Sequence, residues 1–448
     1  MNYLRNSRKP LNPARVMVFG FMGVIFTGSL LLTLPPMYEG EGIAYLDALF
    51  TATSAVCVTG LVVVDTGSFY TLPGQVIIMV LIFIGSLGFM TMTTLIFIFL
   101  GRRISLRDRI IVKEALNQES LAGLVPLVKT VAQMALFFIM IGAVLLSVKF
   151  IPVYGYGQGF FFAFFHAISA FGNAGFDLFG GYDSLTLFPA DYLVNGTIMV
   201  LFIFGGLGFT VIHELSNRLR FRHRLSLHSH LVLVITAFLL VLGTAFVFIL
   251  EYNNPLTIGN INGGAKIFTA LFTSATARTA GFNVLETGAM SYSTLVILMA
   301  LMFIGASPTS TGGGVKTTTF GVVLITFIAM ISGRKEPVIF MRRFPLYQIM
   351  RAVSIMSAAV GLIFLTTFAL TLFEDHDFLS LLFEAFSAFG TVGLSTGITP
   401  ELSGPGKAAL IVTMFCGRIG PLTLLVALTL KKPEAESLQY PEENLMIG

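Results

Sequence analysis

Hydrophobic and polar positions alternate along this chain in long blocks rather than in the short periods of soluble helices and strands. Apolar runs cover Val16–Leu34, Leu72–Leu100, Pro126–Phe150, Ala190–Ile212, Ser229–Leu250, Ser293–Ile331, Ile349–Phe373 and Gly406–Leu430. A helix needs about 20 residues to cross a bilayer, so each run predicts a crossing. The first run has no small-residue cleavage site behind it and an equivalent in every later unit, so it reads as a helix rather than a signal peptide. Ser293–Ile331 is too long for one straight crossing: its 39 residues would extend about 58 Å at the helical rise of 1.5 Å, whereas the hydrocarbon core is about 30 Å thick. Its middle, Ala306 to Thr319, is rich in hydroxyls and glycine. That predicts a break at membrane depth, where irregular backbone survives only if it lines a cavity or is buried in protein.

Between each pair of runs stands a shorter phrase that recurs in register: Phe50 to Gly60, Phe165 to Gly175, Leu271 to Gly281 and Phe383 to Gly393. A large apolar residue lies ten positions before the final glycine, and Ser-Ala (Ala-Thr in the third) lies six and five before it. Recurrence at a period of roughly 110 residues marks an architectural repeat. The apolar parts are too short to cross and predict re-entrant segments. The expected fold is an all-α membrane protein with eight transmembrane helices and four re-entrant pore loops around one pore. Its units are 1–100, 101–220 with a preceding cytoplasmic amphipathic helix, 221–335 with a broken second helix, and 336–432, followed by a tail at 433–448.

Composition agrees with this pattern. The chain has 448 residues, 55% hydrophobic and 11% charged, well below the roughly 25% charge of soluble domains. Of 27 Lys and Arg, 21 lie before or in the opening turn of the first helix of a unit, or after its second helix, which assigns that side to the cytoplasm by the positive-inside rule. Fourteen of the 23 acidic residues, among them Glu39, Glu41, Asp47, Asp65, Asp177, Asp183 and Asp377, lie near the phrases instead. A negative external mouth concentrates cations. Nine of twelve tyrosines share that side, as an interfacial belt in a chain without tryptophan. Cys57 and Cys416 fall in apolar segments and read as buried free thiols.

The repeated glycine suggests chemistry. A dehydrated cation needs oxygen ligands, and backbone carbonyls supply them where the chain can turn them toward an axis. Glycine reaches the required angles cheaply, and small or β-branched neighbours keep the loop narrow. The expected ion-binding set is Val58, Thr59, Gly60, Asn173, Ala174, Gly175, Thr279, Ala280, Gly281, Thr391, Val392 and Gly393. A single such phrase would more simply be helix packing; four in register favour a pore.

Thr391-Val392-Gly393 matches the first three residues of the Thr-Val-Gly-Tyr-Gly filter of potassium channels. Over residues 10 to 430 the chain resembles the Trk/Ktr/HKT superfamily of potassium transporters, and in size and helix count the KtrB-type membrane subunit. That resemblance implies a plasma-membrane protein with cytoplasmic termini, K+ bound at the filter carbonyls, and Na+ as an alternative transported or activating ion. It further implies a homodimer seated on a cytoplasmic RCK/KTN ring of the KtrA type, with ATP or ADP bound to that partner and no cofactor or nucleic acid on this chain. One glycine per unit supplies fewer carbonyl layers than Thr-Val-Gly-Tyr-Gly, so looser selection is expected.

In the resembled family the stretch corresponding to Ala306–Thr319 is an intramembrane loop closing the permeation path. Gly312, Gly313, Gly314, Lys316 and Arg418 are therefore the expected gate. Gly-Gly-Gly-Val-Lys-Thr is not a phosphate loop, because Val315 rather than glycine precedes the lysine and no strand precedes the run. Lys316 is read as a charge at the gate rather than one snorkelling to the cytoplasmic edge. Arg278, three residues before Gly281, would repel a cation if it faced the pore, and is expected to point behind the loop toward an acidic or carbonyl partner. Small-residue groups at Gly85–Gly88, Gly205–Gly208, Gly305–Pro308 and Gly417–Gly420 read mainly as packing contacts, with a true interruption only in the third unit. Arg102–Leu121 reads as an interfacial amphipathic helix, and His228 and His230 as solvent-facing. The main alternative, a secondary transporter coupling K+ to Na+ or H+, ordinarily uses two inverted repeats. Among enzyme signatures no HExxH, Ser/His/Asp grouping or metal-spaced cysteine set occurs.

Overall fold

The computed structural model describes residues 13–40, 42–100, 124–189, 191–221, 224–334 and 336–428, with 110 and 113 as isolated positions. Apart from those two positions, the expected amphipathic helix over Arg102–Leu121 lies outside the described residues, as does the tail at 433–448.

Four successive stretches carry the same sequence of elements. The first holds α1 (Pro13–Leu32), α2 (Tyr45–Cys57), α3 (Leu72–Leu87) and α4 (Phe89–Phe99). The second holds α5 (Leu124–Tyr154), α6 (Tyr156–Gly172), α7 (Tyr192–Leu207) and α8 (Phe209–Phe221). The third holds α9 (Leu227–Glu251), α10 (Gly263–Thr276), α11 (Tyr292–Phe303) and α12 (Thr317–Ile331). The fourth holds α13 (Leu346–Phe373), α14 (Phe378–Gly390), α15 (Gly404–Ile419) and α16 (Pro421–Leu428).

The opening helix of each stretch, α1, α5, α9 or α13, is long and apolar enough to cross a membrane unbroken. Each leaves one face of large apolar side chains exposed, such as Phe19, Phe137, Val241 and Phe364, as expected of helices whose outer solvent is lipid. The short helices α2, α6, α10 and α14 bury their C-terminal halves almost completely. They form the centre of the molecule, with the long helices outside.

The closing helix of each stretch is broken, which corrects the expectation of a single interruption. α3 and α4 meet at 103° and α7 and α8 at 99°. The turns are Gly88 and Gly208, with Gly420 in the same role between α15 and α16, at φ of 81°, 93° and 92°. Between α11 and α12 the break is longer, a non-helical segment over residues 304–316. By length and composition four helices cross alone and the two bent pairs add two more; α11, α12, α15 and α16 are each shorter than a bilayer.

Each stretch also closes where the C-terminal end of its opening helix meets the N-terminus of its third helix. The N-cap carboxylate Asp191 pairs with Lys149 at 2.8 Å. Glu251 accepts from the N–H and hydroxyl of the cap Ser291 at 2.9 and 2.8 Å. Glu374 accepts from the N–H and hydroxyl of the cap Ser403 at 3.0 and 2.6 Å, and Thr71 Oγ1 donates to Pro36 O at 2.7 Å. Between α12 and α13 a two-stranded hairpin, β1 (Val338–Ile339) and β2 (Arg342–Arg343), turns through Phe340 and Met341 at positive φ. His230 packs on the Phe340 ring at 5.6 Å, so it and His228 are half-buried rather than solvent-facing.

Candidate functional site

The short helices end at Cys57, Gly172, Thr276 and Gly390, within five residues of Gly60, Gly175, Gly281 and Gly393. Those glycines meet. A Cβ built on Gly60 would stand 2.5 Å from Ala174 O and 3.2 Å from the Gly175 Cα; one on Gly175, 2.9 Å from Ala280 O and 3.0 Å from the Gly281 Cα. One on Gly281 would collide with Val392 O, and one on Gly393 with Thr59 O. The contacts run from the first stretch to the second, third and fourth and back to the first, a closed ring that only residues without a Cβ can form. The three residues expected from each phrase, Val58-Thr59-Gly60, Asn173-Ala174-Gly175, Thr279-Ala280-Gly281 and Thr391-Val392-Gly393, are all brought to it.

The backbone of the ring is unusual at more than the glycines. Gly60, Gly175, Gly281 and Gly393 have φ of 92°, 69°, 80° and 92°, but Val58, Asn173, Thr279 and Thr391, two positions earlier, also stand at positive φ: 59°, 58°, 75° and 49°. Left-handed angles are therefore not left to glycine alone. A β-branched residue in that region is an outlier, and such strain of about 1–3 kcal/mol per residue persists where surrounding structure holds it, often at ligand sites. Alternating the sign of φ turns successive carbonyls to the same side. The C-terminal ends of the four short helices add a partial negative charge, about half an electron each.

The recurrent Ser or Thr of the phrase, to which the sequence reading gave no role, holds the ring in place. Ser54 Oγ accepts from Gly60 N–H at 3.0 Å and Ser387 Oγ from Gly393 N–H at 3.1 Å. In the other two copies the hydroxyl donates instead, Ser169 to Phe176 O at 2.7 Å and Thr276 to Phe282 O at 2.9 Å. All four hydroxyls tie the short helix to the turn that follows it. The signal was present in the recurring Ser-Ala; its chemistry appears only when the turn folds back.

The segment 304–316 packs against the ring residues that precede the glycines. Gly312 and Gly313 lie so close to Thr279 and Thr391 that a side chain at either would collide with their hydroxyls. Gly313 N–H donates to Thr391 Oγ1 at 3.0 Å, Thr311 Oγ1 to Asn173 Oδ1 at 3.0 Å, and Asn173 Nδ2 to Thr279 Oγ1 at 3.1 Å. Lys316 Nζ turns back onto Gly312 O at 2.6 Å rather than toward the membrane edge. Arg418 donates to Thr311 O and to Gly85 O, joining the segment to the first and fourth stretches.

The helix breaks and this segment satisfy each other. At the α7–α8 break, Phe209 N–H donates to Thr309 O at 3.0 Å, while Gly206 O and Gly205 O accept from Ser307 and Thr311 N–H at 3.0 and 3.2 Å. Gly417 O accepts from Gly314 N–H at 3.3 Å. Gly85, Gly205 and Gly417 also serve as packing sites, as expected, because a Cβ on each would collide with Val56, Phe171 or Phe389 O at the end of its own short helix. In the third stretch the corresponding Gly305 faces Gly313 instead.

Arg278 does point behind the ring, into a small cavity between α7, α9 and α10. The acidic or carbonyl partner expected for it is missing among the described residues, and its Nε is buried without a hydrogen bond. Several of the acids expected at the external mouth serve locally: Asp47 pairs with Lys407 at 2.7 Å, Asp65 accepts from Ser68 N–H at 2.9 Å, and Asp377 from Leu379 N–H at 3.1 Å. Cys57 and Cys416 are buried free thiols, as expected.

Comparison with known proteins places this geometry in context. A family model described as "TrkH: Cation transport protein" matches residues 18–440. The Ktr system potassium uptake protein B of Bacillus subtilis (strain 168) is 45% identical over 97% of both chains. The Ktr system potassium uptake protein B of Vibrio alginolyticus is 43% identical over 97% of this chain and 94% of its own. The potassium/sodium uptake protein NtpJ of Enterococcus hirae is 40% identical over 98% of both. The crystal structure of the potassium transporter TrkH from Vibrio parahaemolyticus superposes with a TM-score of 0.75, covering 96% of this chain and 87% of that one at 20% identity.

Proposed function

Since the chain belongs to the TrkH family of cation transport proteins and is a multi-pass membrane protein, we propose that it takes up potassium through a pore on the axis of the glycine ring. The closed contact of Gly60, Gly175, Gly281 and Gly393 carries this reading. Carbonyls of residues 58–60, 173–175, 279–281 and 391–393 replace the hydration shell of K+, and the four helix C-termini favour positive charge at that point. Only one glycine layer closes the ring, so discrimination against Na+ is looser than in a filter with two. The names of the relatives, two potassium uptake proteins and one potassium/sodium uptake protein, fit that expectation.

Segment 304–316 is the gate. It lies against the ring, occupies the backbone groups freed at the helix breaks, and is held by Lys316 and by the Arg418 bridge between Thr311 and Gly85. Each neutral hydrogen bond contributes a net of about 0.5–1.5 kcal/mol and each charged one about 1.5–3 kcal/mol, so the loop stays shut without a ligand yet lies within reach of a binding partner. The relatives named as Ktr system proteins support a second subunit: a homodimer of this chain on a cytoplasmic RCK/KTN ring that senses ATP or ADP. Eight crossings follow if each broken helix crosses once, in units 1–100, 101–220, 221–335 and 336–432 with both termini cytoplasmic.

The test is K+ and Na+ flux in liposomes holding the purified chain, with and without a cytoplasmic ring. Flux should favour K+, and Arg418→Ala should raise it by freeing the loop. Absence of cation flux under both conditions would sink the transport reading, whereas unchanged flux in Arg418→Ala would remove only the gate.

A further inference from the structure

Six cationic side chains lie away from the basic face: Lys149, Lys266, Arg278, Lys316, Lys407 and Arg418. Five have partners. Lys149 pairs with Asp191 and Lys407 with Asp47. Lys266 donates to Gly259 O at 2.8 Å and sits over the Tyr252 ring; Lys316 and Arg418 donate to carbonyls. Arg278 makes no ion pair or hydrogen bond among the described residues, although it is only 9% exposed and its Nε is fully enclosed.

The space it faces contains a second orphan. Arg278, Thr236, Gly206, Leu240, Ala275 and Ala306 line one cavity, and Thr236 Oγ1 is likewise buried without a partner. A guanidinium only donates, and a hydroxyl can donate, so an occupant must accept. A bare buried cation is costly, and the partial charge at the end of α10, about half an electron, offsets it incompletely. The cavity offers about 20 Å³ to the centre of a water-sized occupant, where one such centre needs about 10–15 Å³. That is room for about one water-sized centre, which suits a monatomic anion.

We propose that this cavity is a binding site for a single monatomic anion, chloride under physiological conditions, held by the Arg278 guanidinium and Thr236 Oγ1. The anion neutralises Arg278 three residues before Gly281, so that a cation at the ring meets a paired rather than a bare charge. The site lies outside the proposed pore and its existence does not depend on transport.

Crystals of the wild-type chain grown with bromide in place of chloride test it. An anomalous bromine peak should appear within hydrogen-bonding distance of Arg278 and Thr236 and vanish in Arg278→Gln. Thr236→Val, which keeps the volume, provides the same comparison if Arg278→Gln does not fold, and its bromide occupancy should fall. Thermal unfolding in detergent should shift upward in chloride relative to gluconate at equal ionic strength, and the shift should be lost in either variant. A cavity holding water without an anomalous peak, or a peak undiminished in the variants, overturns the proposal. Cation flux is not needed for either readout, so failure here and failure of the transport reading are separate results.

Discussion

At the scale of single residues, the ring depends on groups whose importance follows from what would be left bare without them. Ser387→Ala removes the acceptor for the half-buried Gly393 N–H, and losing a hydrogen bond costs about 0.5–1.5 kcal/mol. The variant should unfold at lower temperature and discriminate less between K+ and Na+ in liposomes; selectivity equal to wild type would deny the serine its positioning role. Asp177 supplies a pH dependence. In the loop after Gly175, which is external under the proposed topology, burial pushes its carboxyl up to about 7; Phe179 N–H opposes this, and Asp65 and Asp183 add to it. A carboxyl with a raised value is neutral below it and charged above, so the mouth should lose negative charge as external pH falls through about 7. Uptake at low K+ should decline over that interval, and Asp177→Asn should flatten the profile. Val58, Asn173, Thr279 and Thr391 were placed at the site by sequence, but the left-handed angles of Val58, Thr279 and Thr391 were not legible there, because β-branched residues do not advertise such a conformation, whereas asparagine at 173 adopts it more readily.

At the scale of elements, the broken closing helices look irregular one by one and regular together. Gly85 on α3 seats the end of α2, as Gly205 on α7 seats α6 and Gly417 on α15 seats α14. Gly85→Ala should therefore destabilise the protein by about 1–3 kcal/mol, the usual cost of overpacking. Gly23→Ala on α1, where a Cβ meets nothing within 4 Å, should be neutral or slightly stabilising through helix propensity. Thermal unfolding of the two variants in detergent checks the contrast, and equal loss in both would mean that helix propensity rather than close approach governs these positions. The interruption over 304–316 was readable because a run of that length cannot stay straight inside a bilayer. The bends at Gly88, Gly208 and Gly420 were not, since a glycine in an apolar helix serves packing and bending alike, and the choice follows from which carbonyls find donors across the break.

At the scale of the whole molecule, the closed ring fixes how four stretches sit around one axis, and the basic flanks are the ground for the proposed cytoplasmic end. Tyr156, 86% exposed at the start of α6, and Met341, 98% exposed in the hairpin, lie on opposite sides under the proposed topology. Tyr156→Cys should react with a membrane-impermeant maleimide in intact cells, and Met341→Cys only after permeabilisation. The buried Cys57 and Cys416 give little background. Labelling of both from outside would overturn the proposed orientation.

Sequence by itself determined the membrane setting, the four in-phase phrases, their glycines and the long break in the third stretch. Those properties are local or periodic, and hydrophobic length and backbone freedom can be counted along a chain. Only the tertiary structure decided that the glycines close into a ring, that Thr311 meets Asn173, that Arg418 spans from Thr311 to Gly85, and that Arg278 finds no protein partner among the described residues. Such contacts join residues a hundred or more positions apart, and a buried polar group takes whichever partner the packing brings within reach. A sequence lists the donors and acceptors; the fold pairs them, and at Arg278 it leaves one charge facing an open space.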